Sequence, residues 1–381
     1  LRAEVPSQAA LKEVVGLIDN IQLAELESFL QCNLVGTVEL TEAELPETSA
    51  VIYTIILADR LEVIYQGVQP EMLLHHRVKQ PQTLANAKLE TFRTNLERQY
   101  FDPEAELTSK EIYTWLVEPQ VSALQAQKMD TLVFVLDGAL RNIPVAALQN
   151  QQGQYLIEEF AIALTPRLQL KTPQPMSSRR PSTLLFGLSK VPTQYSPFQF
   201  DPLPFVRQEA SYVEENLPAQ TIVNEDFTQQ RLQEKLQTVP TSVVHFATHG
   251  EFSSDPEKTF ILAWDQRITS DQLNEFLRDT PFDSDIELLI LSACKTADGD
   301  NRATLGIAGI ALQAGAQSTL ASLWVVNDEA TAKFVEYFYE ALAADELVSR
   351  AQAVRQAQLK IKQEYSTPRY WAPYILVGNW L

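Results

Sequence analysis

The sequence predicts an α/β protein built on a mostly parallel sheet covered by helices on both faces. Three observations carry that prediction. Short apolar strand patterns alternate with helical patterns from Thr183 to the C-terminus. The runs Ser242–Ala247 and Leu288–Leu291 are almost wholly apolar, as strands are when both faces of their sheet are buried. At 381 residues and 45% hydrophobic, the chain can bury one large core or two modest ones.

The first element is a helix over Ala9–Leu30, signalled by Leu11, Val14, Val15, Ile18, Leu23, Leu26, Phe29 and Leu30 at helical spacing. A start at Leu1 rather than Met, already close to a helix, reads as a fragment or processed part of a longer protein. Two β-rich runs follow, Val51–Leu57 and Leu61–Tyr65, and the residues between them, Ala58–Arg60, suit a hairpin. Helical patterns over Thr83–Arg98 and Ser109–Ala126 precede a buried strand at Thr131–Leu136. Residues 171–182, KTPQPMSSRRPS, have no apolar period and mark the expected boundary between domains at 1–180 and 181–381.

Beyond that break the pattern is regular. Strands are expected at Thr183–Phe186, Gln220–Val223, Ser242–Ala247, Leu288–Leu291 and Ser318–Leu323. Helices are expected at Arg207–Asn216, Thr228–Gln237, Leu305–Ala314, Glu329–Leu342 and Glu346–Lys362. In such sheets functional groups gather at the carboxyl ends of the strands. No internal repeat at the 34-residue period of helical arrays is visible.

Composition removes several function classes. A formal charge of −19 repels a phosphate backbone, so no nucleic acid is expected as a partner. No apolar run reaches the roughly 20 residues that cross a bilayer, and no signal pattern opens the chain, so no membrane association and a cytoplasmic location are expected. Two cysteines, Cys32 and Cys294, make no disulfide framework and leave a thiol available for chemistry.

Two strands end in reactive residues: VVHFATHG carries His249 past one strand, and LLILSAC carries Cys294 past another. A thiol attacks as its thiolate, and with an ordinary pKa of about 8.5 it needs a neighbouring imidazole to ionise at neutral pH. His249 suits that role and can return the proton to a leaving amine. Gly250 leaves room for a carbonyl, so the Gly250 and Cys294 amides are candidates for an oxyanion hole. His245, four residues earlier, remains an alternative base, although the strand end and the glycine favour His249. The bland reading is a buried thiol and a satisfied core histidine. His75 and His76 read as ordinary solvent-facing residues. Zinc lacks a ligand set. DGDN around Asp298 and Asp300 has Ala303 where a calcium loop needs Gly. Gly306, Gly309 and Gly315 make no phosphate loop.

The segments HFATHGEF, ILSACKTADGD, GIAGIALQAGAQSTLASLWVVNDEATAKFVEYFYEAL and YWAPYILVG, in this order and spacing, resemble the CHAT peptidases, relatives of caspases and separase often found with tetratricopeptide repeats. LVFVLDGALRNIPVAAL and YLIEEFAIALTP extend the resemblance over at least residues 131–381. It implies a caspase-like fold with a catalytic dyad at His249 and Cys294, and an inactive caspase-like subdomain in residues 1–180, where Cys32 is structural. It implies a cysteine endopeptidase acting on a protein substrate without a cofactor, regulated by an upstream repeat region or a partner protein.

Asp328, in LWVVNDEA, resembles a position lining the specificity pocket of separase, where an acid favours Arg or Lys before the scissile bond. Asp328 equally fits the N-cap of the helix that starts at Glu329. The acidic chain also attracts basic substrate segments at long range. Arg179, Arg180 and Arg302 lie in loops where an enzyme of that preference would cut itself, or are plain loop charges. The competing class is a non-enzymatic docking or regulatory module on the same fold.

Overall fold

A computed structural model describes residues 6–30, 45–69, 72–98, 103–165, 173–178, 180–195, 200–253, 258–278, 286–292, 294–296, 315–344 and 348–381. Helix α1 (Gln8–Leu30) precedes strands β1 (Ser49–Leu57), β2 (Arg60–Gln69) and β3 (Met72–Val78). The β1–β2 pairing of Leu57 with Arg60 leaves Ala58 and Asp59 as the hairpin turn, close to the expected one. Strand β3 is an addition to the expected elements. Its residue His75 is not an ordinary solvent-facing histidine, because Nε2 lies 2.7 Å from the fully buried carboxylate of Glu62 on β2. The cross-strand acid explains why a histidine sits in this ladder.

Helix α2 (Gln82–Leu96) matches expectation, but the pattern over Ser109–Ala126 is two helices. Helix α3 (Pro103–Leu116) stops before Pro119, a 3-10 turn covers Glu118–Gln120, and α4 (Val121–Ala126) resumes. Proline has no N–H to continue the α ladder, so the apolar period survives while the helix breaks. Strand β4 (Thr131–Val135), the short helix α5 (Leu156–Glu159) and β5 (Ala161–Leu164) complete the first half.

The second half contains β6 (Thr183–Gly187), α6 (Val206–Asn216), β7 (Ala219–Val223), α7 (Gln229–Thr238) and β8 (Val243–Ala247). Then come β9 (Gly250–Phe252), β10 (Phe260–Leu262), β11 (Arg267–Thr269), α8 (Ser270–Arg278), β12 (Leu288–Leu291), β13 (Cys294–Thr296) and β14 (Ser318–Ser322). Helices α9 (Asp328–Leu342), α10 (Arg350–Glu364) and α11 (Pro368–Trp371) lead to β15 (Tyr374–Gly378). The helix expected at Leu305–Ala314 lies outside the described residues.

Eleven strands form one sheet in the order β3-β2-β1-β4-β5-β15-β14-β12-β8-β6-β7. The last strand joins the halves: β15 pairs parallel with β5 at Val377 and Leu164, and antiparallel with β14. Trp380 Nε1 donates to Ser49 Oγ at 3.0 Å, and Arg93 of α2 donates to the Leu323 carbonyl at 3.0 Å, tying the seam on both sides. Residues 173–178 of the proline-rich break pack on the second half through polar contacts. The Gln174 carbonyl accepts from Arg350 at 2.9 Å and from Asn379 at 2.7 Å. A second sheet, β11-β10-β9-β13, sits beyond the ends of β8 and β12.

Candidate active site

Strands β8 and β12 are parallel neighbours, with Leu291 opposite Phe246. Both continue into the small sheet, where β9 and β13 are again parallel neighbours with Cys294 opposite Gly250. Between these two pairings one strand spends three residues, Ala247, Thr248 and His249, and the other spends two, so the register offset changes from 45 (291 − 246) to 44 (294 − 250). An extra residue on one of two paired strands is a device for re-aiming a side chain. Here it falls at His249, directly before the glycine that faces Cys294.

The imidazole of His249 is half-buried, and its Nε2 is 2.6 Å from the Asp201 carbonyl. A carbonyl only accepts, so the neutral ring carries its proton on Nε2 and its lone pair on Nδ1. Phe200 packs on the ring with centroids 5.1 Å apart and itself meets Phe260 and Tyr195 edge-on at 6.4 and 6.0 Å. The Arg267 guanidinium lies 4.4 Å over Phe260 and 5.8 Å over Phe200, bracing the aromatic group from outside. Burial lowers the pKa of His249 below the ordinary 6.5, against the opposing pull of the Asp201 carbonyl and carboxylate. At neutral pH the ring is therefore an unprotonated base.

His245 is placed differently. It is fully buried, with Nδ1 3.2 Å from the Tyr339 hydroxyl and Nε2 2.7 Å from Glu209 Oε1, the latter close but not aligned as a hydrogen bond. A ring sealed in this way has no route to a substrate, which separates it from His249.

Asp328 is not the N-cap of α9. Asn327 holds that position, its side chain accepting from Ala330 N at 3.2 Å, and Asp328 is the first helical residue. The Asp328 carboxylate instead accepts from Phe205 N at 2.8 Å, at the far end of the segment that begins with Phe200 and Asp201. Burial, reinforced by Glu209, pushes its pKa up to about 6 against that hydrogen bond. Among the described residues no cation pairs with it.

Residues Phe200 and Asp201 have no sequence signature: one acts through a ring, the other through a backbone carbonyl. Cys32, Arg179, Arg302, Asp298, Asp300, Ala303, Gly306 and Gly309 lie outside the described residues, and Arg180 is exposed. Among the described residues no cluster of three or more His, Cys, Asp or Glu could hold a metal ion, and no helix is long and apolar enough to cross a membrane.

With this geometry in place, the comparisons define the class. The CHAT domain profile matches residues 106–379, and the chain belongs to that family. Tetratricopeptide repeat protein 28 of Mus musculus is 25% identical over 295 residues, and that of Homo sapiens 25% identical over 299 residues. Each match covers 65% of this chain and 12% of the relative, so the chain spans about an eighth of their length. The fold is caspase-like. It is similar to Saccharomyces cerevisiae separase in its complex with securin, with TM-scores of 0.51 and 0.53 in two crystal structures at 12% identity, over 95% of this chain and 31% of that one.

Proposed function

We propose that the chain is a cysteine endopeptidase in which Cys294 is the nucleophile and His249 the general base. The observation that carries this reading is the pairing of Cys294 with Gly250, one residue from His249, where two neighbouring parallel strands end. His249 takes the Cys294 proton at Nδ1, and the sulfur attacks the scissile carbonyl carbon. The Gly250 and Cys294 amides are assigned to the resulting oxyanion. Collapse forms the thioester and breaks the C–N bond as the imidazolium protonates the leaving amine. Water, deprotonated by the same imidazole, then attacks the thioester and returns the thiol.

Asp328 is the proposed selector for Arg or Lys before the scissile bond. A half-buried carboxylate with a pKa of about 6 and no cationic partner among the described residues gains most from an incoming guanidinium or ammonium. Its bond to Phe205 N supports the same assignment, because it holds the acid beside the segment that braces His249. Regulation by an upstream repeat region or a bound protein is the corresponding proposal for partners. It is supported by the repeat proteins among the relatives and by the securin complex of separase.

The test is cleavage of a fluorogenic peptide library, varied at the residue before the scissile bond, by the chain and by Cys294→Ala. Cleavage after Arg or Lys that vanishes in the variant supports the proposal. Cleavage that persists in Cys294→Ala contradicts it, as does silence of the wild-type chain both alone and with the proposed repeat region or partner protein supplied, which would favour a docking module.

A further inference from the structure

One short segment, Asp201-Pro202-Leu203-Pro204-Phe205, touches both His249 and Asp328. At one end the Asp201 carbonyl lies 2.6 Å from His249 Nε2; at the other, Phe205 N donates to Asp328 Oδ2 at 2.8 Å. Four peptide steps reach at most about 14 Å, so whatever fixes one end of the segment constrains the other. Pro202 and Pro204 have their own φ fixed, and each drives the residue before it, Asp201 or Leu203, towards extended backbone. With its freedom removed at alternate positions, the segment is a strut rather than a slack loop.

Packing does little to hold this strut. Asp201, Pro202 and Pro204 are exposed, and Leu203 is only half-buried. Beyond it the body of α6 is firmly seated, with Val206, Ala210 and Val213 in the core. Phe205 stands at the start of that helix, where helices fray, and its own side chain makes no capping bond. The acceptor for its N–H comes from outside the helix, from the Asp328 carboxylate at the head of α9. A carboxylate is favoured at a helix N-terminus by the helix dipole as well as by the hydrogen bond.

We infer that Asp328 is a positioning residue for His249, acting through this strut. Its carboxylate fixes Phe205 N, the two prolines carry that position along the segment, and the Asp201 carbonyl holds the Nε2–H of His249 so that Nδ1 is left for the thiol. The acid assigned to select the substrate thereby also sets the base that acts on it. The inference deepens the peptidase reading and rests on its assignment of His249 as the base, but its test needs no cleavage.

The test follows the ring protons of histidine in the whole chain, labelled with nitrogen-15, by NMR near neutral pH, with the His249 signal identified by its loss in His249→Ala. In the wild type the Nε2–H of His249 is expected to be protected from exchange with water. Asp328→Asn, which keeps an acceptor for Phe205 N, should leave that exchange within about twofold. Asp328→Ala should speed it at least tenfold, and Pro202→Gly combined with Pro204→Gly, which leaves both hydrogen-bonding ends intact, at least fivefold. The ring signals of His75, paired with Glu62 in the first half, and of His245, beside Glu209 of α6, should stay in place in every variant, which separates a slack strut from a disturbed fold. An unprotected His249 proton in the wild type, exchange within twofold of wild type in Asp328→Ala or in the double glycine variant, or Asp328→Asn as fast as Asp328→Ala would each overturn the inference. So would His245 signals that move together with those of His249, because α6 as a whole would then have shifted. Failure of the peptidase reading looks different: the ring responds as expected while no peptide is cleaved.

Discussion

In the N-terminal half, β4 runs out through Leu136 into Asp137 and Gly138; in the C-terminal half, β8 runs out through Thr248 into His249 and Gly250. Both strands are fully buried, both sit inside the same eleven-stranded sheet, and both deliver a polar residue followed by glycine to a strand end. Beyond that point the two ends diverge. Asp137 turns back into its own half: its carboxylate accepts from Ile56 N at 2.9 Å and its N–H donates to Thr54 Oγ1 at 3.0 Å. His249 is held through one nitrogen by the Asp201 carbonyl, which leaves the lone pair of the other for chemistry. The neighbours differ too. Beside β8, β12 continues to Cys294, whereas beside β4, β5 stops at Leu164 and the next residue, Thr165, donates its N–H to the Phe134 carbonyl at 2.9 Å. A strand end supplies only a location; the chemistry depends on a neighbour that brings a second group to it.

The sharpest way to break the comparison is to exchange its terms. Cys294→Ala or His249→Ala should lower peptide cleavage by at least about 10³-fold, as removal of a member of a catalytic pair does. Asp137→Asn should leave kcat/KM within about twofold, because its bonds are to backbone and a threonine in its own half. Steady-state assays on the three variants decide it.

Next in size is specificity. Asp328→Asn should lower kcat/KM for Arg and Lys substrates by about 30-fold or more, the order expected when one partner of a close charge pair is removed. Its stability should move the other way. The folded pKa of about 6 lies above the ordinary 3.8, so the folded chain holds this proton more tightly than the unfolded chain. The stabilisation from protonated Asp328 is full below 3.8 and is lost as pH rises through about 6. Asn keeps an acceptor for Phe205 N without ionising. Urea unfolding of Asp328→Asn at neutral pH should therefore give a midpoint no lower than wild type.

The pH profile should show the base. Because burial lowers His249 below 6.5, the acid limb of kcat/KM should fall at a pH below the ordinary histidine value. Measuring it in Asp328→Asn removes the titration near 6 from the same range. Phe200→Ala opens the ring to water and should move that limb upward, with a several-fold loss of rate. The smallest effect is expected in the other half. Asp137→Asn should cost about 1–2 kcal/mol in urea unfolding, the scale of a hydrogen bond to a charged group.

The placement of His249 and Cys294 just past neighbouring strand ends is legible because each comes after an apolar run whose burial a sequence reveals. Most of the second-half strands and helices were legible for the same reason. Strands β9 to β11 and β13 were not, since three residues show no alternation and their existence depends on pairing with one another. Strand β15 could not be placed at the seam, because YILVG says nothing about which strands it joins. The role of Asp201 was hidden in its backbone. Asp328 suits an N-cap by residue type, but Asn327 one residue earlier fills that place, and Asp328 accepts from Phe205 N instead.

The most direct test of the central claim is mass-spectrometric mapping of the adduct formed by a peptidyl acyloxymethyl ketone with Arg at its reactive end. A single adduct on Cys294 that forms at least a hundredfold more slowly in His249→Ala is the predicted result. An adduct on Cys32 at a comparable rate, or labelling of Cys294 indifferent to His249, would contradict the pairing of these two residues.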